Sequence, residues 1–374
     1  MGTRHRENVG RALHPRVIQR VAVVGAGTMG AGIAQLCAQS GFGVKVHDPV
    51  PAALAALPGR LKKSLDAAVL KGKLGTQQAD RAFHSVSAAA TLEDLAGADL
   101  VIEAAPEDLA LKQGLFEKLS RICPDALLAT NTSSLSVARI MKRAVSPERT
   151  LGVHFFNPPV AMKLVEMIRT GNTATEAFRA AFDFVLMGLK RTPVDVKDVP
   201  GFIVNRVMRP YYVASQRLAG GAASFVLIDE ACRALGGAPM GPFELMDLIG
   251  LDVNLAITKS IHEALGRPER FAPPALQQAL VDRGMTGRKA GRGFYLYEDG
   301  KTAGENRDAL ALRTGRGVPG RADAWASLRA ALIAEAESVV AEGTASASDV
   351  DVAIRLAMNF PKGPLEWRKE STVA

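Results

Sequence analysis

The sequence predicts an α/β protein: a mostly parallel sheet covered by helices, then an all-α C-terminal domain and a partial repeat of that helical domain. Three observations carry this expectation. Short apolar runs alternate with helical patterns from Val21 to about Val196, helical periodicity takes over after Pro200-Gly201, and the tail repeats the helical part at constant spacing.

The candidate strands are Val21–Val24, Gly43–His47, Asp99–Glu103, Leu127–Asn131, Leu151–Phe155, Lys163–Ile168 and Thr192–Val196. Several are nearly continuous apolar runs, as expected of strands buried on both faces. Amphipathic segments lie between several of them; Leu111, Leu115, Phe116 and Leu119, for example, share one helical face. Strand–helix–strand alternation makes successive strands parallel. The last strands follow one another with little helix between them, so some antiparallel pairing is expected there.

Residues 202–280 carry helical periodicity punctuated at Gly241-Pro242, and the helical domain is expected over 200–298. Residues 299–324 are polar, rich in Gly and Arg, and aperiodic, which predicts a linker. Beyond it, Asp351 lies 122 positions after Asp229. The same spacing relates Ala231 to Ala353, Pro239 to Pro361, Gly241-Pro242 to Gly363-Pro364, Glu244 to Glu366 and Gly221 to Gly343. A constant spacing without gaps signals internal duplication. The second copy, 325–374, stops shortly after Trp367 and is expected to be truncated.

With 374 residues, 48% hydrophobic and 22% charged, the chain has the length and balance of a soluble protein with two domains. No apolar run approaches the roughly 20 residues needed to span a bilayer. Residues 1–19 include Arg4, Arg6, Arg11 and Arg16 but no apolar core, so they read as a basic tail rather than a secretory signal. Cys37, Cys123 and Cys232 are far apart with no metal-ligand spacing, which suits reduced thiols in the cytoplasm. The net charge of +8 suits either nucleic acid or a small molecule carrying several phosphates. Basic residues spread along the chain and only 5% aromatic residues favour the small molecule.

Gly25-Ala26-Gly27-Thr28-Met29-Gly30 follows the first strand and opens a helix expected over Ala31 to Ala38. In this context the first glycine allows the tight turn and the second lets the backbone approach a pyrophosphate. The third permits close packing of helix on strand, in the Rossmann arrangement. A second strand ends at His47-Asp48, 18 residues beyond Gly30, where an acid can accept the ribose hydroxyls of NAD. The Asp48 carboxylate would repel the 2′-phosphate of NADP, so NAD is the expected cofactor.

Three polar groups stand at or near strand ends. Ser133 follows the strand ending near Asn131, His154 closes another, and Glu166 lies within the run Lys163–Ile168. Ligands of open parallel sheets bind outside the carboxyl ends of strands. Alcohol oxidation by NAD needs a base near neutral pKa, for which imidazole is suited, and a carboxylate on its other nitrogen fixes the tautomer. From spacing alone a second reading stands equally: His154 as a satisfied core histidine, with Glu166 facing solvent.

Taken together, the chain resembles the 3-hydroxyacyl-CoA dehydrogenase family. The stretches that carry the resemblance are VAVVGAGTMGAGIAQ, Asn131-Thr-Ser-Ser-Leu135, His154-Phe-Phe-Asn-Pro158, Lys163-Leu-Val-Glu166, Pro200-Gly-Phe-Ile-Val-Asn-Arg206 and GRGFYLY at Gly291–Tyr297. The resemblance covers residues 20 to about 298 and, through the repeat, extends to about 369. It implies NAD-dependent interconversion of (S)-3-hydroxyacyl-CoA and 3-ketoacyl-CoA, in fatty-acid or phenylacetate-type catabolism. It implies an NAD-binding domain over 20–199 and makes His154 the general acid/base, with Glu166 its orienting carboxylate. Ser133 and Asn205 would hold substrate oxygens. Glu107, Lys112, Asn157 and Lys289 match cofactor contacts, and Ser64 and Lys71 match acyl-CoA contacts. Single-repeat members dimerise through the helical domain, which implies a homo-oligomer here, with the incomplete second copy as a departure from the pattern. Two other readings remain. One is a dehydrogenase of a free hydroxy acid, which would not need the CoA contacts. The other is an NAD-binding, non-catalytic protein on the same scaffold, of the crystallin kind.

Overall fold

The computed structural model describes residues 17–220, 223–313 and 320–373. Most of the expected basic tail, Gly221 of the repeat, and positions 314–319 of the expected linker lie outside the described residues. The chain forms two compact units. One takes in the chain up to Thr130 with Met141–Leu151 and Thr170–Arg191; the other takes in Asn131–Ile140, Gly152–Arg169 and the chain from Thr192 on.

In the first unit, β1 (Arg20–Val24), β2 (Gly43–His47), β3 (Val86–Ala89), β4 (Leu100–Glu103) and β5 (Leu127–Thr130) lie in the order β3-β2-β1-β4-β5. Every neighbouring pair is parallel. Val21–Val24 and Leu100–Glu103 are almost wholly buried, because helices such as Thr28–Gln39 and Leu109–Ile122 cover the sheet. The sequence concealed β3, whose Val-Ser-Ala-Ala run is half solvent-facing and edges the sheet. The helix after the glycine loop begins at Thr28, three residues before its expected start. Leu111 and Leu115 do not share the core with Phe116 and Leu119; they line a surface cleft, and Lys112 takes the buried place.

In the second unit, the part of β6 (Thr150–Phe155) from Gly152 on runs antiparallel to β7 (Leu164–Arg169), which is parallel to β8 (Thr192–Lys197). The expected antiparallel pairing is thus β6 with β7. Five helices follow, from Val204–Gly220 to Ala275–Asp282, around a cluster of Phe225, Phe243 and Phe294 with ring centroids 4.7–5.1 Å apart. The part expected to be all-helical closes with a hairpin, β9 (Tyr295–Glu298) and β10 (Lys301–Glu305). The stretch expected as a linker, 299–324, contains β10, a short helix Arg307–Ala311 and the start of a helix Arg321–Ala341. Their polar faces, half solvated, left no periodic apolar signal to read.

The duplication reappears atom by atom. Ser224 caps the helix Phe225–Gly236, and Ser346 caps Ala347–Met358. Those helices end on residues with left-handed backbone, Gly237 and Asn359. Asp229 accepts the Phe243 amide at 2.9 Å, and Asp351 accepts the Leu365 amide at 2.8 Å. Arg233 pairs with Glu244 as Arg355 pairs with Glu366. Gly241 and Gly363 are required because a side chain at either would collide with the carboxylate of Asp229 or Asp351.

Candidate active site

The first unit holds a cleft of about 740 Å³ at the glycine loop, lined by Gly25, Gly27, Thr28, Asp48, Arg60 and Leu111 among others. Gly25 has φ +109 and donates its N–H to the His47 carbonyl at 2.7 Å; a side chain there would run into the Ala104 carbonyl. A side chain on Gly30 would collide with the Gly25 carbonyl. One on Gly27 would meet nothing within 4 Å, so this glycine keeps open the space a pyrophosphate needs. The helix Thr28–Gln39 has no side-chain cap at Gly27, which leaves its first-turn amides for an anion. Asp48 accepts the Ala26 amide at 2.7 Å with one oxygen and the Val50 amide at 2.9 Å with the other. Its remaining lone pairs suit ribose hydroxyls. These residues fit a dinucleotide.

Arg60 was not legible from the motif. It lies 12 positions beyond Asp48, on the helix Leu57–Leu70, and donates to the Ala26 carbonyl at 2.6 Å. Ser64 is half-buried on that helix, and Lys71 is exposed at its end. Lys112 is 1% exposed; its ammonium meets Glu103 at 2.6 Å and Glu107 at 3.3 Å. Glu103 also accepts the Thr130 hydroxyl and the Ala105 amide, each at 2.6 Å. Lys112 thus joins the exposed Glu107 to the buried Glu103. That acid ends an apolar strand and offered the same signal as Glu166.

The second unit brings His154 and Glu166 together. His154 on β6 stands directly across from Glu166 on β7 in the antiparallel register. His154 Nδ1 lies 2.7 Å from Glu166 Oε2, and the two residues are 6% and 0% exposed. Glu166 Oε1 accepts the amides of Ile203 at 3.0 Å and Val204 at 2.9 Å. Three hydrogen-bond contacts join these two buried residues to each other and to the backbone, so Glu166 does not face solvent. Phe156 and Phe202 flank the imidazole, with centroids 4.6 and 5.8 Å away. With Nδ1–H donated to a carboxylate, Nε2 is the ring nitrogen suited to exchange a proton.

Asn205 Nδ2 donates to the Ser133 carbonyl at 3.4 Å, so these two come together. Asn131 accepts the Phe155 amide at 2.8 Å and ties the Ser133 loop to β6. Asp198, unsuspected from sequence, accepts Ser136 Oγ at 2.7 Å and the Val137 and Ala138 amides at 2.9 and 2.8 Å. Asn157 is exposed just after β6, and Lys289 is exposed in the turn Arg288–Ala290.

The family model of the 3-hydroxyacyl-CoA dehydrogenase NAD-binding domain matches residues 20–199, and that of the C-terminal domain matches 201–297 and again 326–373. The chain belongs to the 3-hydroxyacyl-CoA dehydrogenase family. Among its relatives, 3-hydroxyadipyl-CoA dehydrogenase of Escherichia coli is 36% identical, the match covering 94% of this chain and 90% of the relative. 3-Hydroxybutyryl-CoA dehydrogenase of Mycobacterium tuberculosis is 40% identical over 75% of this chain and 99% of its own. The crystal structure of 3-hydroxybutyryl-CoA dehydrogenase from Escherichia coli superposes with TM-score 0.84 at 34% identity, covering 94% of this chain and 91% of that one. This 3-hydroxyacyl-CoA dehydrogenase is an oxidoreductase that uses NAD to oxidise hydroxyacyl-CoA. Among the described residues no helix is long and apolar enough to cross a membrane.

Proposed function

We propose that His154 is the general acid/base of this dehydrogenase and that Glu166 orients it. The hydrogen bond between them, with Glu166 fixed by two backbone amides, carries the reading. In oxidation, His154 Nε2 accepts the proton of the 3-hydroxyl while the Glu166 carboxylate stabilises the charge that develops on the ring. In reduction, the same nitrogen returns that proton to the carbonyl oxygen. Ser133 and Asn205 hold the substrate oxygen and polarise it. NAD, when bound, supplies the hydride acceptor; Gly25 to Gly30 and Asp48 hold it, and Glu107, Lys112, Asn157 and Lys289 serve the same cofactor. The acyl-CoA is met by Ser64 and Lys71, and the exposed Lys62, Lys63 and Lys73 beside them make this a basic face suited to its phosphates. We assign the enzyme to the (S)-3-hydroxyacyl-CoA, in fatty-acid or phenylacetate-type catabolism in the cytoplasm. Leu248, Ile249 and Val253 expose apolar side chains on the helical domain and form the face through which two copies associate.

The test is NADH oxidation with acetoacetyl-CoA and with longer and dicarboxylic 3-ketoacyl-CoAs, in the wild type and His154→Ala. The wild type turns over at least one of these, and the variant loses roughly a hundredfold or more in kcat with its fold intact. A folded wild type inert toward all of them refutes the assignment. Light scattering of the wild type and Leu248→Glu checks the dimer face.

A further inference from the structure

The acid/base pair of the second unit depends on a ten-residue segment, Lys197–Arg206, and the second repeat grips that segment at both ends. At its start, the Lys197 amide donates to the carbonyl of Thr344, just beyond the helix Arg321–Ala341. At its end, the Arg206 guanidinium is 1% exposed as a residue and fully engaged by two acids of the repeat. Nε donates to Glu335 at 2.8 Å, and the two terminal nitrogens reach Glu342 at 2.7 and 2.6 Å. Arg270 holds the other Glu335 oxygen at 2.6 Å.

Between those grips lie the contacts the chemistry uses. Asp198 caps the turn after the Ser133 loop, Ile203 and Val204 donate to Glu166, and Asn205 reaches the Ser133 carbonyl. Arg206 follows Asn205 directly. We infer that Glu335 and Glu342 are positioning residues: through Arg206 they set where the Ile203 and Val204 amides stand, and so how Glu166 holds His154. The inference rests on the acid/base reading above.

Two features give this cluster leverage. The planar, bidentate contact of Arg206 with the half-exposed Glu342 fixes direction as well as distance, and its second contact, to Glu335, is buried. Glu337, which pairs with Arg368 of the same repeat at 3.0 Å, serves as the comparison. Small displacements of a catalytic group carry large rate penalties, so a slack tether shows in kcat before it shows in binding.

The experiment uses the full chain with acetoacetyl-CoA and NADH. Glu342→Gln, Glu342→Asp, the double variant Glu335→Gln/Glu342→Gln and Glu337→Gln are compared with His154→Ala. Glu342 is half-exposed, so its variants fold and decide the matter even if the double variant does not. Glu342→Gln loses roughly tenfold in kcat while KM for NADH stays within about twofold, and Glu342→Asp recovers about a threefold part of that loss. The kinetic isotope effect with reductively deuterated NADH rises in Glu342→Gln, because the chemical step has slowed, and Glu337→Gln matches the wild type. Unchanged kcat in Glu342→Gln overturns the inference, and so does a parallel change in kcat and KM for NADH. If His154→Ala also keeps its activity, the acid/base reading has failed; if only that variant collapses, the tether alone has failed.

Discussion

Glu166 serves three donors with two oxygens: the imidazole on one, the amides of Ile203 and Val204 on the other. A glutamine there can still accept the two amides, but its NH2 then faces His154 Nδ1 and selects the opposite tautomer, with the proton on Nε2. Glu166→Gln should therefore keep its fold and lose roughly 10²–10⁴ in kcat, read from steady-state kinetics beside a circular dichroism spectrum. The glycines make an equally sharp contrast. A methyl on Gly27 meets nothing in the protein, so Gly27→Ala should leave the melting temperature unchanged and weaken NADH binding by roughly tenfold or more. Gly30→Ala drives a side chain into backbone and should lower the melting temperature as well. Fluorescence titration of NADH and thermal scans of the two variants separate these outcomes.

At the scale of elements, seven of the strands were legible, several of them because buried strands are written as nearly continuous apolar runs. The strand Val86–Ala89 and the hairpin Tyr295–Glu305 were not, since each shows one face to water and their alternation is too short to register. The proposed acid/base pair was half legible. Glu166 stood out as a charge in an apolar strand, but its proximity to His154 rests on the antiparallel register of two strands, which spacing alone leaves open. Glu103 shows the same signal with a different outcome: a lysine supplied by the next helix. Lys112→Met leaves that carboxylate buried without its cation and should cost about 3–5 kcal/mol, measurable by denaturant unfolding.

Across the whole molecule, the helical part buries the Asp229 carboxylate under the start of the helix Pro242–Ile249 and that of Asp247 under the amides of Phe294 and Tyr295, and these make stability depend on pH. Burial pushes the Asp229 carboxyl up to about 7 and that of Asp247 up to about 6, against the backbone and tyrosine hydrogen bonds that favour ionisation. The folded chain thus keeps these protons at pH values where the unfolded chain, with carboxyls near about 4, has released them. Their stabilising contribution is present below that value and is lost as pH rises through about 6 to 7. Thermal scans of the wild type and Asp229→Asn should diverge across this window, the variant losing less stability as pH increases. Parallel curves would show that Asp229 ionises normally.

The central claim is best tested by single turnover. NADH is bound first and mixed rapidly with acetoacetyl-CoA, in the wild type and in His154→Ala. The wild type should oxidise the bound NADH in one fast phase, while the variant binds NADH equally well and oxidises it roughly a hundredfold more slowly or worse. Oxidation at the wild-type rate by His154→Ala would contradict the assignment of His154 as the acid/base.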